Sequence, residues 1–585
     1  MARATPPKIV GSGVAAAIPP KARSGRPTVA CVPVTVSDGR YDTRPCFSHS
    51  WVEHDAVKDA VDVARYMVDG VPVRIANREA RSHGEYIFDP PEYRLPPRQL
   101  QILGETSDDI SDAVPSDVEL NSLWMLRPYI KSRAKDLVYK RLVMSADEGG
   151  DAKDIDRESD FLADLLCRYT AGYGALEILL KDPNVQDIYV DAPSSQTPVE
   201  VVLRSEVGGA VRQKCRTNLY VGARDLASLV SRVKFETGRP FSEACPVLEA
   251  DMHRLGARIT IVGPPLSDKG LSVAIRKHSP AAWTMPALVA NGSLSPLLSS
   301  FLWACVVGRR TVLVAGSRGA GKTTLLGAMM MEFPLSQRIV VIEDTPEIPL
   351  RRLQEIGYDL SSLRFSSDGP DDRGSARDAL RVSLRMGESA IVIGEVRGEE
   401  AKVLYESMRA GSAGSSVLGT IHGNSAKGVL DRAVEDLGVS ERAFSSTDII
   451  VVIGLMRSPD GATFTRRVTQ VAEVREVDGR VALVDLFDTD PGCLCAKPTS
   501  EFSPRCKSIV GIADALGVRP EAVMDIVKTR AHADQLMAEA KDGPRCSDSA
   551  RVESNEFLAQ ALFTPEGPES GLERWRRWYD GRRTV

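Results

Sequence analysis

At 585 residues the chain has room for roughly three to four domains. Its 43% hydrophobic and 26% charged content is the balance of a water-soluble globular protein. A net charge of −5, from 74 Lys and Arg against 79 Asp and Glu, gives no basic footprint over the whole chain, so nucleic acid is not the default partner. No uninterrupted apolar run approaches the ~18 residues of a membrane helix.

Residues 1–30 mix Ala, Pro, Gly and basic residues and read as a disordered tail. Within it Ile9 to Ile18 imitates the apolar stretch of a signal peptide, but Gly and Pro interrupt it. Residues 31–155 carry few signals and are assigned to an accessory N-terminal region. Phe88-Asp89-Pro90-Pro91 and Leu95-Pro96-Pro97 predict an extended, Pro-punctuated segment. Ser107 to Glu119 is acidic, and Leu120 to Met144 has helical apolar spacing with a basic stretch, Lys131 to Arg141, that reads as a solvated face. Residues 156–278 mix helices (Phe161 to Thr170, Leu176 to Lys181, Ala223 to Glu236) with strands (Ile188 to Val190, Val199 to Leu203, Ala257 to Val262, Leu271 to Arg276) and predict a smaller α/β or α+β domain. A linker over 279–290 follows Lys277-His278.

The centre of the chain is Thr311 to Ala315, a short β-branched run, followed by Gly316-Ser317-Arg318-Gly319-Ala320-Gly321-Lys322-Thr323-Thr324 and then an apolar helix that stops at Pro334. Strand, Gly-rich loop and helix are the context of a phosphate-binding P-loop with the pattern G-x-x-x-x-G-K-[ST]. The backbone N–H groups of the loop and the positive end of the helix suit phosphate, Lys322 suits the β- and γ-phosphates of ATP, and the Thr323 hydroxyl suits Mg²⁺. Four further apolar strands follow, at 338–342, 390–394, 416–421 and 448–453, with helices between them. That alternation predicts a parallel sheet covered on both faces, with ligands beyond the carboxyl ends of its strands. This core is assigned to residues 291–470.

Hydrolysis needs a carboxylate beside the γ-phosphate. Glu343 and Glu395 each follow a buried strand directly, and Glu347 lies four residues beyond Glu343. For each of them, a surface or helix-capping acid is the alternative reading. Residues 471–545 form a C-terminal region that completes a hairpin turning at Val477-Asp478-Gly479-Arg480 and then turns helical. Residues 546–585 read as a polar tail ending in Trp575-Arg576-Arg577-Trp578-Tyr579, either a docking cluster or a helix packed on its own domain. Among ten Cys, Cys493, Cys495, Cys506 and Cys546 could hold zinc, but C-x-C is not the usual ligand pair, and zinc is not expected.

The set of motifs resembles the ATPases of type II and type IV secretion, type IV pilus and archaellum systems. The resemblance spans roughly residues 160–475. It rests on the P-loop together with Ile342-Glu343-Asp344-Thr345-Pro346-Glu347, Gly394-Glu395-Val396-Arg397-Gly398-Glu399-Glu400 and Gly419-Thr420-Ile421-His422-Gly423, and on Gly172-Tyr173-Gly174, Asp182-Pro183, Gly238-Arg239-Pro240 and Arg276-Lys277 in the preceding domain. Thr420 to Ser425 and Asp448-Ile449-Ile450 look most like the archaeal branch. The resemblance implies a RecA-like core preceded by a PAS-like domain, ATP and Mg²⁺, a hexameric ring, and a polytopic membrane platform protein at the inner face of the membrane. It further implies that Glu343 orients the attacking water, Glu395 supports Mg²⁺, His422 senses the γ-phosphate, and Arg258 and Arg276 reach the phosphates. Two departures stand out: no His occupies Gly411 to Gly414, where the family often has a second one, and two C-x-x-C pairs common in bacterial assembly ATPases are absent. A RecA-like nucleic-acid translocase and a nucleotide-gated scaffold that does not hydrolyse are the competing readings.

Overall fold

The computed structural model describes residues 31–35, 41–54, 60–78, 82–112, 123–145, 151–204, 213–278, 282–344, 346–365, 376–387, 390–398, 400–409, 416–457, 464–490, 496–540, 548–564 and 566–581. The chain forms two compact units, Met1–Trp51 with Pro90–Gly174, and Val52–Asp89 with Ala175–Val585.

In the first unit the helices Pro97–Asp112, Leu123–Ser145 and Ala152–Thr170 pack around Leu103, Val138, Leu162 and Leu166. The basic stretch expected as a solvated face does face solvent and is paired there with acidic neighbours. Lys131 lies 2.7 Å from Asp164, Lys135 3.1 Å from Asp156, and Arg141 2.6 Å from Asp109. These surface pairs offset the positive charge of the stretch.

The second unit opens with a nine-stranded, mostly antiparallel sheet. Its order is Val247–Met252, Ala257–Val262, Ser272–Lys277, Val185–Val190, Glu200–Leu203, Lys214–Thr217, Gly84–Phe88, Val71–Asn77, Val61–Val68. Three of these strands come from residues 61–88, which the sequence reading placed in a separate accessory region. Gly84–Phe88 pairs in parallel with Lys214–Thr217, a partner about 130 residues away that no local pattern announces. The Asn218 amide joins the two segments, donating to Phe88 O at 2.9 Å and accepting from Phe88 N–H at 3.2 Å. Asp182 anchors the same junction by accepting the hydroxyls of Tyr66 and Tyr86 at 2.7 and 2.6 Å.

The second sheet is the α/β core. Its order is Leu360–Arg364, Ile339–Glu343, Ala390–Ile393, Val417–His422, Val312–Gly316, Ile449–Arg457, then Phe464–Val477, Arg480–Thr489 and Ala496–Pro498. The first six strands run parallel and the last three extend the sheet as an antiparallel meander. Alternate residues serve opposite faces: Val312, Val314, Val341 and Val451 join one hydrophobic cluster, and Leu313, Ala315, Ile342 and Val452 the other. Burial on both faces is why these strands read as unbroken apolar runs. The hairpin turn at Asp478-Gly479, with φ of 52° and 77°, matches its expected position.

Two expectations at the flanks change. Within the segment assigned as a linker, Met285–Ala290 is a helix capped by Thr284 and seated through buried Met285. The segment expected as a tail contains the helices Asp548–Ala561 and Pro568–Gly581, and Trp575 is fully buried with its Nε1–H on Ser554 Oγ at 2.8 Å. Its polar composition misleads because the buried Arg551 is paired with Glu332 and Asp534, which lie elsewhere in the chain. Cys506 is a buried residue whose thiol is pushed up by burial. Cys493, Cys495 and Cys546 lie outside the described residues.

Candidate active site

The strand Val312–Gly316 runs into the P-loop through a crowded position, since a Cβ on Gly316 would lie 2.6 Å from Ile453 O. Gly319 and Gly321 take φ of +78° and +100°, a region that L side chains resist. The helix Lys322–Met330 starts without a side-chain cap, so its first N–H groups face the loop and form an anion site. Ser317 and Arg318 are exposed, Ala320 is buried, and Thr323 and Thr324 are half-buried on the first turn.

Lys322 Nζ donates to Gly316 O and Ser317 O, both at 3.2 Å, and stands 3.4 Å from His422 Nδ1. His422 Nε2 is 2.8 Å from Glu395 Oε1. The contacts assign the tautomer: Nε2–H donates to Glu395, which leaves Nδ1 to accept from the ammonium. Glu395, His422 and Lys322 therefore form one chain across three neighbouring strand ends, those of Ala390–Ile393, Val417–His422 and Val312–Gly316. Burial pulls the Lys322 pKa down, Glu395 and Glu347 oppose that fall, and Arg276 and Arg432 add to it.

Glu343, expected to orient the attacking water, turns its carboxylate onto backbone N–H groups. Glu343 does end its strand on the P-loop edge of the sheet, but it is 3% exposed and its Oε1 accepts the backbone N–H groups of Glu347 and Ile348 at 3.1 and 3.2 Å. Burial raises its pKa to about 7. The carboxylate that faces the loop is that of exposed Glu347, whose Oε2 accepts the Thr323 hydroxyl at 2.7 Å. Both acids lie in one polar motif, and nothing periodic in that motif tells which of them turns inward.

The arginines divide. Arg258 and Arg276 are cross-strand partners on Ala257–Val262 and Ser272–Lys277. Arg276 acts on Lys322, whereas Arg258 holds Glu249 Oε2 at 3.0 Å. A group that sequence reasoning missed is Arg466, on the strand Phe464–Val477. Its Nε–H donates to Gly319 O at 3.0 Å, and its Cδ would lie 3.3 Å from a Cβ on Gly321. Burial and Arg276 lower its pKa, and Asp187 opposes that. Only its neighbour Arg467 in a Thr-Arg-Arg run marks it in the sequence. Arg432, also missed, has a buried Nε without a hydrogen-bond partner among the described residues.

The site suits a hard cation bound with phosphate. Thr323 and Glu347 present oxygen donors 2.7 Å apart, and no group of three or more His, Cys, Asp or Glu able to hold a metal by itself occurs among the described residues. A cation here would complete its shell with phosphate oxygens and water, as Mg²⁺ does.

The sequence model of the family described as "Type II/IV secretion system protein" matches residues 174–546. A Mycobacterium tuberculosis protein named "Putative conjugal transfer protein" is 30% identical over 345 residues, which is 57% of this chain and 94% of that protein. The type IV secretion system protein VirB11 of Brucella suis is 34% identical over 200 residues, 30% of this chain and 54% of that protein. The crystal structure of the Brucella suis VirB11 ATPase in complex with sulphate covers 51% of this chain and 95% of its own, at 25% identity and a TM-score of 0.25. Among the described residues no helix is long and apolar enough to cross a membrane. The chain belongs to the type II/IV secretion system protein family and is a P-loop ATPase.

Proposed function

We propose that the protein is a Mg²⁺-dependent motor ATPase that works as a hexameric ring at the cytoplasmic face of the cell membrane. It would drive type II/IV secretion or assembly of a type IV pilus- or archaellum-like filament through a polytopic platform protein. The observation that carries this reading is the convergence on one P-loop of Lys322, the His422–Glu395 pair, Glu347 on Thr323, and Arg276 from the preceding sheet. A charge from one domain acting on the nucleotide loop of another is what a machine needs to turn phosphate chemistry into domain movement.

The residues take the following parts. The N–H groups of 316–324 and Lys322 bind the β- and γ-phosphates of ATP. Thr323 and Glu395 would hold Mg²⁺ directly and Glu347 only through bound water; the ion would neutralise charge on the transferring phosphoryl group. Glu347 orients the water and takes its proton as the bond from the γ-phosphorus to the bridging oxygen breaks. Glu395 holds His422, and His422 reports the γ-phosphate. Arg276 and Arg466 stabilise the charge that spreads over the phosphoryl oxygens, without risk of deprotonation. Arg258, opposite Arg276 on the adjacent strand and paired with Glu249, would release that pair to reach the phosphates.

Steady-state phosphate release from the full chain with Mg²⁺ and ATP tests the reading. Lys322→Ala and Glu395→Ala are each expected to lower turnover at least ~100-fold. Turnover near the wild-type value in both variants, or no hydrolysis by the wild type, would refute it. Hydrolysis stimulated by single-stranded DNA and lost steeply with salt would instead favour a translocase.

A further inference from the structure

Glu343 is nearly fully buried at the end of its strand, yet it is ionisable, and it touches neither the P-loop helix nor the His422–Glu395 pair in any contact described above. Two contacts explain its presence. Its Oε1 accepts two successive backbone N–H groups, those of Glu347 and Ile348. This ties the backbone at Glu347 and Ile348 back to the end of the Glu343 strand. Ile348 is 5% exposed and belongs to the hydrophobic cluster beneath, so the loop is pinned from below as well. Between these two ties the exposed side chain of Glu347 accepts the Thr323 hydroxyl.

The second contact is with the neighbouring strand. A Cβ built on Gly394 would lie 2.9 Å from Glu343 Cγ and 3.5 Å from its Cβ and Oε1. The Glu343 side chain therefore lies across Gly394, the residue immediately before Glu395. Gly394 has no left-handed φ, so glycine is there for room and not for backbone freedom. Its own backbone is fixed, with N–H on Ile342 O at 2.9 Å and its carbonyl accepting the Thr420 hydroxyl. One buried carboxylate thus rests its stem on the loop that carries Glu395 and its tip on the loop that carries Glu347.

We propose that Glu343 is a positioning residue for ATP hydrolysis: wedged over Gly394, it fixes the loop that presents Glu347 to Thr323 and keeps the Glu347 and Glu395 loops in register. The inference rests on the ATPase reading above and adds a task for a residue that does not itself face the phosphates. It explains why a carboxyl oxygen is buried here, since two buried N–H donors need an acceptor. It also explains the Gly394-Glu395 pair, because any larger residue at 394 displaces the wedge.

The test compares Glu343→Ala, Glu343→Gln and Gly394→Ala in the full chain. The measurements are kcat, KM for ATP, affinity for a fluorescent ADP analogue, and amide hydrogen exchange at 347 and 348. Glu343→Ala and Gly394→Ala are expected to lower kcat about 30-fold or more with KM and ADP affinity within about threefold of wild type. Exchange at the two amides rises about tenfold or more. Glu343→Gln keeps an oxygen for the N–H groups and restores kcat to within about fivefold. In the double variant Glu343→Ala/Glu347→Gln, kcat is no lower than in Glu347→Gln alone, because both act at one place. Unchanged kcat in Glu343→Ala, unchanged exchange at 347 and 348, or additive losses in the double variant would overturn the proposal while leaving the ATPase reading intact. A fall in ADP affinity that Glu343→Gln does not rescue identifies loss of fold and also overturns it. A wild type that does not hydrolyse ATP sinks the ATPase reading, and the exchange measurement still decides whether Glu343 holds the loop.

Discussion

The P-loop helix Lys322–Met330 has a charge cluster at each end, and the two clusters follow opposite rules. Just past its C-terminal end, Glu332 takes a bidentate pair from Arg551 at 2.9 and 2.9 Å and a further N–H from Arg530 at 2.9 Å. Arg551 also donates to Asp534 at 2.6 Å, and Asp534 accepts the Ser299 hydroxyl at 2.6 Å. The four charged side chains are 0% exposed. Two positive and two negative groups cancel, and Arg530 lies 4.2 Å over the Trp303 ring. At the N-terminal end, Lys322 has carbonyls and a histidine for company and its ammonium is not fully paired with a carboxylate. The closed cluster secures the C-terminal helices to the core. The open one keeps positive charge available for an anion.

The largest effect that would break this contrast is on stability. Arg551→Ala leaves Glu332 and Asp534 buried without their main partner, and is expected to cost about 3–5 kcal/mol in urea unfolding. Turnover per folded molecule should change less than about twofold, since the cluster lies at the far end of the helix. A loss under about 1 kcal/mol would mean the cluster is not what secures the helices.

The next effect concerns pH. Folding raises the Glu343 pKa from an ordinary 4.5 to about 7. The folded state thus binds this proton more tightly, so its contribution to stability is complete below about pH 4.5 and is lost as pH rises through about 7. The charged groups facing it are Glu347, which pushes the value up, and Arg364, which pulls it down. Glu343→Gln, a stand-in for the protonated form, should gain on the order of 3 kcal/mol over wild type at pH 8 and close to nothing at pH 4. Parallel pH profiles of the two melting temperatures would contradict this.

His422→Ala is expected to lower turnover about 10- to 100-fold, the range of one removed charge-orienting hydrogen bond. It should sharpen the contrast by freeing Glu395 and moving the Lys322 environment, read as a changed KM for ATP. At the small end, Lys131→Ala in the first unit breaks exposed pairs with Asp160 and Asp164 and should shift stability by less than about 1 kcal/mol. A much larger loss would place that helix bundle with the closed cluster instead.

The two ends of the helix were also unequally legible. The P-loop, the parallel strands and the His422 segment could be read directly, because strands buried on both faces give unbroken apolar runs and the glycines at 319 and 321 mark left-handed backbone. The C-terminal helices could be read only in part: helix over residues 507–539 was legible and a packed terminal helix was one of two readings, but the contacts that hold them were not. Arg551 and Arg530 look like surface residues until Glu332, about 200 residues away in the chain, is brought to them. The strands of residues 61–88 were hidden for the same reason, since their pairing with Lys214–Thr217 is remote. Within the site, strand-end placement correctly brought Glu343 and Glu395 to the P-loop edge of the sheet. It failed to tell Glu343 from Glu347, because the direction of each carboxylate is set by the loop after the strand and by the room at Gly394. Arg466 follows the same pattern: it is silent as a residue and informative only once its guanidinium meets Gly319 O.

The measurement that bears most directly on the account is phosphate release by Glu347→Gln under Mg²⁺ and ATP, with ATP affinity measured in parallel. A drop of at least ~100-fold in turnover with affinity within about threefold of wild type is the expected result. Turnover close to wild type would contradict it, and would return the water-orienting part to another carboxylate.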